Sequence, residues 1–288
     1  MSEQERMQNY YDSYNKYLKK CAEALGSKLK YDYKDKEFLM KLRDIMCTQV
    51  PLAYKKNQFL VNEPFSYYLS KVIFDFDSDI VVEFFGRALS MVQIIEDPSL
   101  DLEDCKSSFY KDLKNDRLEY KISIPKSDFP SNLLYTAMMH ELGHFNMIYA
   151  KQGDFYEYSE ILSMFFECLM HEAINEGKGY DDFINCRMEM LKNMNPDGKI
   201  DVNYALNPSL LKLEKSTYAY PLATSVSYIE GLEYVLNLFD RRAEDRSLVD
   251  EVINRVLLGE MNFNDVSCIL DIDSSKFDKV NKLLMKKK

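Results

Sequence analysis

The stretch "SDFPSNLLYTAMMHELGHFNMIYA", residues 127–150, opens on small polar residues and Pro130, then runs on as an apolar segment. Ser, Asp and Asn at such a start offer side-chain oxygens to the unbonded N–H groups of a first helical turn. Proline is tolerated there because it has no N–H to satisfy. The reading is a helix from the capping residues to about Ala150. His140 and His144 stand four residues apart, so the helix puts both on one face. Glu141 lies between them. Two imidazoles one turn apart can each present a ring nitrogen to one Zn²⁺, and a neighbouring carboxylate can take the proton of a water beside it. Only three histidines occur in the chain, and two of them fill this motif. That economy weighs against two incidental core histidines. Gly143 keeps the helix slim, a property expected to admit a substrate backbone.

Catalytic zinc sites use three protein ligands and leave one position open. Ala150 stands where the longer H-E-x-x-H-x-x-G-x-x-H pattern needs a histidine, so that option falls. Glu160, in "YSEILSMFFE", is the expected third ligand. The His helix would turn at "KQGD" and return antiparallel, bringing Glu160 beside the two rings. Ser163 and Glu167 follow at helical spacing, placed to orient the ligands from behind. His171, further along the same helix, reads as a packing or surface residue.

Around this core the pattern is mainly helical. Nine Gly and eight Pro are few for 288 residues, which favours long uninterrupted helices. Residues 4 to about 75 read as amphipathic helices rich in Tyr and Lys. "SDIVVEFFGRALSMVQII" (78–95) reads as another, with Asp79 favouring its N-terminus. "SSFYKDL" and "LEYKISIP", around the polar "KNDR", read as a two-stranded ribbon and the only convincing β signal. "YSEILSMFFECLMHEAINEG" is a helix closed by Gly177, and further helices cover about 208–259. The tail "LLGEMNFNDVSCILDIDSSKFDKVNKLL" reads as two short helices around a turn. The expected division is an N-terminal helical region, 1–75, and a metal-binding catalytic domain, 76–288.

The formal charge of −10 disfavours nucleic acid as a partner. No run approaches the roughly 18 apolar residues of a membrane span. No glycine-rich phosphate loop occurs. Six scattered cysteines without a C-x-x-C pair, and no basic-then-apolar start, fit reduced thiols in a cytoplasmic protein.

Four stretches resemble the thimet oligopeptidase and oligoendopeptidase F family of zinc peptidases, a gluzincin group. "YKISIPKSDFPSNLLYTAMMHELGH" looks like its strand, loop and H-E-L-G-H helix. "SEILSMFFE" is similar to its third-ligand motif, with Glu160 on the ligand glutamate and Glu167 on the second. "YAYPLATSVSYIEGL" resembles its tyrosine-rich segment, and "LLGEMNFNDVSCILDID" its closing motif. The likeness runs from about residue 80 onward and implies a short, divergent member with a helical zincin-type catalytic domain and one small β-ribbon beside the active-site helix. It also implies that Tyr220, with Tyr218 second, donates to an oxyanion. Met147 stands where the family carries a further His, and its His upstream of the tyrosines has no counterpart here.

The function expected is a zinc-dependent endopeptidase or oligopeptidase with one Zn²⁺, Glu141 as general base, and a peptide or unfolded polypeptide as substrate. That peptide is expected to pair with the edge of "LEYKISIP". The alternatives are a catalytically weakened homologue that binds peptides or a partner protein, and a regulatory intracellular zinc protease with one protein target.

Overall fold

A computed structural model describes residues 59–100, 106–112, 117–126, 131–146, 159–194, 231–273 and 278–286. The described chain is mostly helical, with one small sheet. Two helices come first, α1 (Phe65–Phe76) and α2 (Asp79–Met91). Asp77, in the left-handed conformation, ends α1, and the Ser78 side chain accepts from the Ile80 N–H to start α2. On α2 the buried residues Val81, Phe84, Phe85 and Ala88 follow the i, i+3, i+4, i+7 spacing of one helical face.

That helix does not continue to Ile95, as its apolar pattern suggests. It stops at Met91, and Val92–Asp97 is a strand, β1. Three of its first four residues are β-branched, which favours extended backbone. Four of its six side chains are exposed, so its place is set by backbone pairing and leaves little trace in hydropathy. β1 runs parallel to β3 (Arg117–Pro125), and β2 (Lys106–Asp112) runs antiparallel to β3 on the other side, giving the order β1-β3-β2. The expected ribbon is therefore a three-stranded sheet with "LEYKISIP" at its centre. A strand paired on both sides has no free edge, so a peptide cannot extend the sheet at β3. Among the described residues, β1 and β2 are the edge strands.

Helix α3 (Asn132–Gly143) follows the sheet, its first turn closed by the Ser131 hydroxyl accepting from the Leu134 N–H. It ends earlier than Ala150, with a turn after Gly143; residues 147–150 lie outside the described set. Helices α4 (Ser159–Ile174) and α5 (Gly179–Met194) form a tight hairpin. Gly177, at φ 76°, makes its turn, and Glu172 accepts from the Gly177 and Tyr180 N–H groups. Helix α6 covers 231–244, followed by α7 (Arg246–Leu257), α8 (Phe263–Leu270) and α9 (Asp278–Lys286). The last two are the pair of short helices that the tail pattern predicts.

One core joins these elements. Phe84 and Phe85 of α2, Phe145 after α3, Phe166 of α4 and Tyr120 of β3 form a chain of ring contacts with centroids 5.0–5.9 Å apart. Such pairs add about 0.5–1.5 kcal/mol each beyond burial. α1 packs on α4 as well. Residues 1–58 of the expected N-terminal region lie outside the described residues, as do 208–230 of the expected later helices. Among the described residues, no helix is long and apolar enough to cross a membrane.

Candidate metal centre

α3 is buried almost all round; Ala137 and Glu141, one turn apart, are its half-exposed positions. Its His face lies against α4. Gly143 explains how closely: a Cβ there would stand 2.6 Å from Ser163 Cα, a backbone atom that cannot swing aside. The missing side chain thus serves a helix crossing rather than the approach of a substrate, which corrects the role expected for Gly143. His144, the C-cap, keeps right-handed helical angles and donates its N–H toward the His140 and Glu141 carbonyls. The one-turn relation of the two rings survives the end of the helix.

The crossing brings His140, His144 and Glu160 together. One ligand atom from each lies within 4.8 Å of the others. His140 Nε2 is 3.3 Å from Glu160 Oε2, and His144 Nε2 is 3.8 Å from Glu160 Oε1. All three residues are buried. Glu160 Oε2 is enclosed yet makes no hydrogen bond of acceptable geometry. A buried carboxylate oxygen in that condition is costly unless something positive meets it. Two imidazoles and a carboxylate are the donor set that Zn²⁺ takes. The group could hold a metal ion.

Both rings are gripped from behind. His140 Nδ1 is 2.8 Å from Glu167 Oε2. An ionised carboxylate only accepts, so Nδ1 donates, leaving Nε2 toward Glu160. His144 Nδ1 is 2.9 Å from Ser163 Oγ. Ser163 and Glu167 thus stand at the two histidines, on the face that the helical spacing gives them. Glu141 is half-exposed beside them, and its carbonyl accepts from the Tyr120 hydroxyl of β3, tying the helix to the sheet. His171 is buried against Phe183, its Nε2 4.0 Å from Glu167 Oε1, outside the three-residue group. Tyr218 and Tyr220 lie outside the described residues.

Charge orders this pocket. Burial pushes His140 down, but the Glu160 and Glu167 carboxylates beside it overcome this and hold its pKa up at about 10. Burial lowers His144 despite the Glu160 charge. Burial would raise both carboxyls. Instead the His144 and His140 rings facing it keep Glu160 low, and Arg187 with His140 draws Glu167 down to about 2. Burial takes His171 down to about 4.

Sequence reasoning missed Arg187. It stands on α5, is buried, and its Nη2 contacts Glu167 Oε2 while lying 3.3 Å from His140 Nδ1. A signal was present: Glu167 and Arg187 are equally far from Gly177, so folding the helix pair at that glycine sets them side by side. Tyr120 was missed too, inside a strand read only as one half of a β-ribbon. No protein-family model, curated protein or solved structure matches the chain.

Proposed function

We propose that the protein is a zinc-dependent peptide hydrolase. The observation that carries this reading is the convergence of the buried side chains of His140, His144 and Glu160, with Glu141 on the half-exposed side of the same helix. A zinc ion held there would polarise a scissile carbonyl and make water acidic enough to be deprotonated near neutral pH. Glu141 takes the proton of the attacking water and passes it to the leaving amine. Glu167 and Ser163 hold the imidazoles in the tautomer that turns Nε2 toward the cation. Tyr220, or Tyr218, donates to the developing oxyanion, a role that rests on the family resemblance alone. A peptide substrate lies extended along a sheet edge, β1 or β2, since β3 is enclosed.

The test is Glu141→Gln. It should keep zinc and lose hydrolysis of a mixed fluorogenic peptide library by about 10²–10⁴-fold, the usual contribution of a general base. Wild-type turnover should stop with chelator and return with Zn²⁺. Full activity in Glu141→Gln contradicts the mechanism. Silence of zinc-loaded wild type across the library favours a peptide-binding protein without turnover.

A further inference from the structure

We infer that Arg187 is a positioning residue for the metal centre, fixing the Glu167 carboxylate against His140 so that the ring stays aimed at the cation. The inference rests on the metal-site reading above and deepens it. Glu167 is fully buried, in the middle of α4, between the histidine helix and α5. A carboxylate in that position needs a counter-charge and a fixed rotamer, because unpaired burial costs several kcal/mol. Arg187 supplies both. Its Nη2 meets the same oxygen, Oε2, that His140 Nδ1 meets, and the three atoms form a closed triangle with Arg187 Nη2 and His140 Nδ1 3.3 Å apart.

The guanidinium is itself held. Its carbon lies 5.9 Å from the centroid of Phe183, one turn earlier on α5. The α4–α5 turn is tight: a Cβ on Gly179 would fall 2.2 Å from Glu172 N, and Asn175 Nδ2 donates to Asp182 Oδ2 at 2.7 Å. Arg187 therefore approaches from a closely packed hairpin. Arg187 and Glu167 together are a neutral pair, so they add orientation to the site without adding net charge beside the cation. Lysine could replace the charge but not the planar fork of donors.

The experiment is titration of the full-length, metal-free protein with Co²⁺, followed by its visible absorption bands, with Zn²⁺ competition for affinity. Arg187→Met should weaken Co²⁺ binding about 10–100-fold, the usual cost of losing an outer partner of a ligand, and shift the bands. Arg187→Lys should recover part of the loss. In a double-mutant cycle, Arg187→Met should add little to Glu167→Gln, because the arginine acts through that carboxylate. Wild-type affinity and bands in Arg187→Met, or fully additive losses, overturn the inference. If Arg187→Met does not fold, Arg187→Lys decides: unchanged affinity and bands overturn it, and a several-fold loss supports it. Wild type that binds no Co²⁺ sinks the metal-site reading itself, an outcome separate from these.

Discussion

Among the described residues, two regions bury acidic side chains, and they treat them differently. Among the C-terminal helices, Glu233 is 1% exposed, and both its oxygens are used. Oε1 accepts from the Lys279 N–H and Oε2 from the Val280 N–H, capping the start of α9 from another helix. Asp250 is likewise met by Arg242 and Arg246. At the α3–α4 crossing, Glu160 is about as buried as Asp250, yet one oxygen has no hydrogen bond and points at an imidazole nitrogen. A satisfied buried carboxylate belongs to the architecture. A half-satisfied one, backed by ordered partners, is the condition that the proposed metal site predicts for a ligand.

Stability measurements can break that comparison. Glu233→Ala strips two backbone donors of their acceptor and should cost about 3–4 kcal/mol in denaturant unfolding. Glu160→Ala, measured without metal, should change stability by only about 1 kcal/mol, since one of its oxygens makes no hydrogen bond to lose and His140 keeps Glu167. Equal losses would erase the distinction.

pH offers the next test. His171 faces Glu167 on its own helix and Asp182 and Arg187 on α5, and burial holds its pKa near 4 in the folded protein. The unfolded value is near 6.5, so between these limits the unfolded chain binds the extra proton. Stability should therefore fall as pH drops from about 6.5 to about 4, by up to about 3 kcal/mol from this residue. His171→Gln should flatten the pH dependence over that window, and an unchanged slope would contradict the assignment.

Two helical glycines sharpen the picture further. Gly143→Ala drives a methyl into the Ser163 backbone and should cost about 2 kcal/mol by overpacking while prying α3 and α4 apart. Gly86→Ala, on α2, meets nothing within 4 Å and should stabilise by about 0.5–1 kcal/mol. Thermal melts of both variants check the signs.

How far the sequence could be read follows from the same physics. His140, His144 and Glu160 were legible because helical periodicity and a short antiparallel return fix their relative places. Ser163 and Glu167 were placed by that period as well. β1 was not legible. Its mostly exposed side chains carry no burial pattern, and what makes it a strand is a backbone ladder to β3, a pairing across the chain that hydropathy does not encode. For the same reason the central place of β3 was missed, and with it the loss of the edge expected to bind a peptide. Gly143 was read as an opening for substrate because only the structure shows which neighbour occupies that space. Arg187 went unremarked because only the folded hairpin shows that it faces inward.

The proposed site stands or falls on its metal content. Full-length wild type and Glu160→Ala, purified, loaded with Zn²⁺ and dialysed, should be compared by elemental analysis. The account predicts about one zinc per wild-type chain and almost none in the variant, as expected when a three-ligand site loses one ligand. Wild type that retains no zinc, or a variant that retains it fully, contradicts a site built from His140, His144 and Glu160.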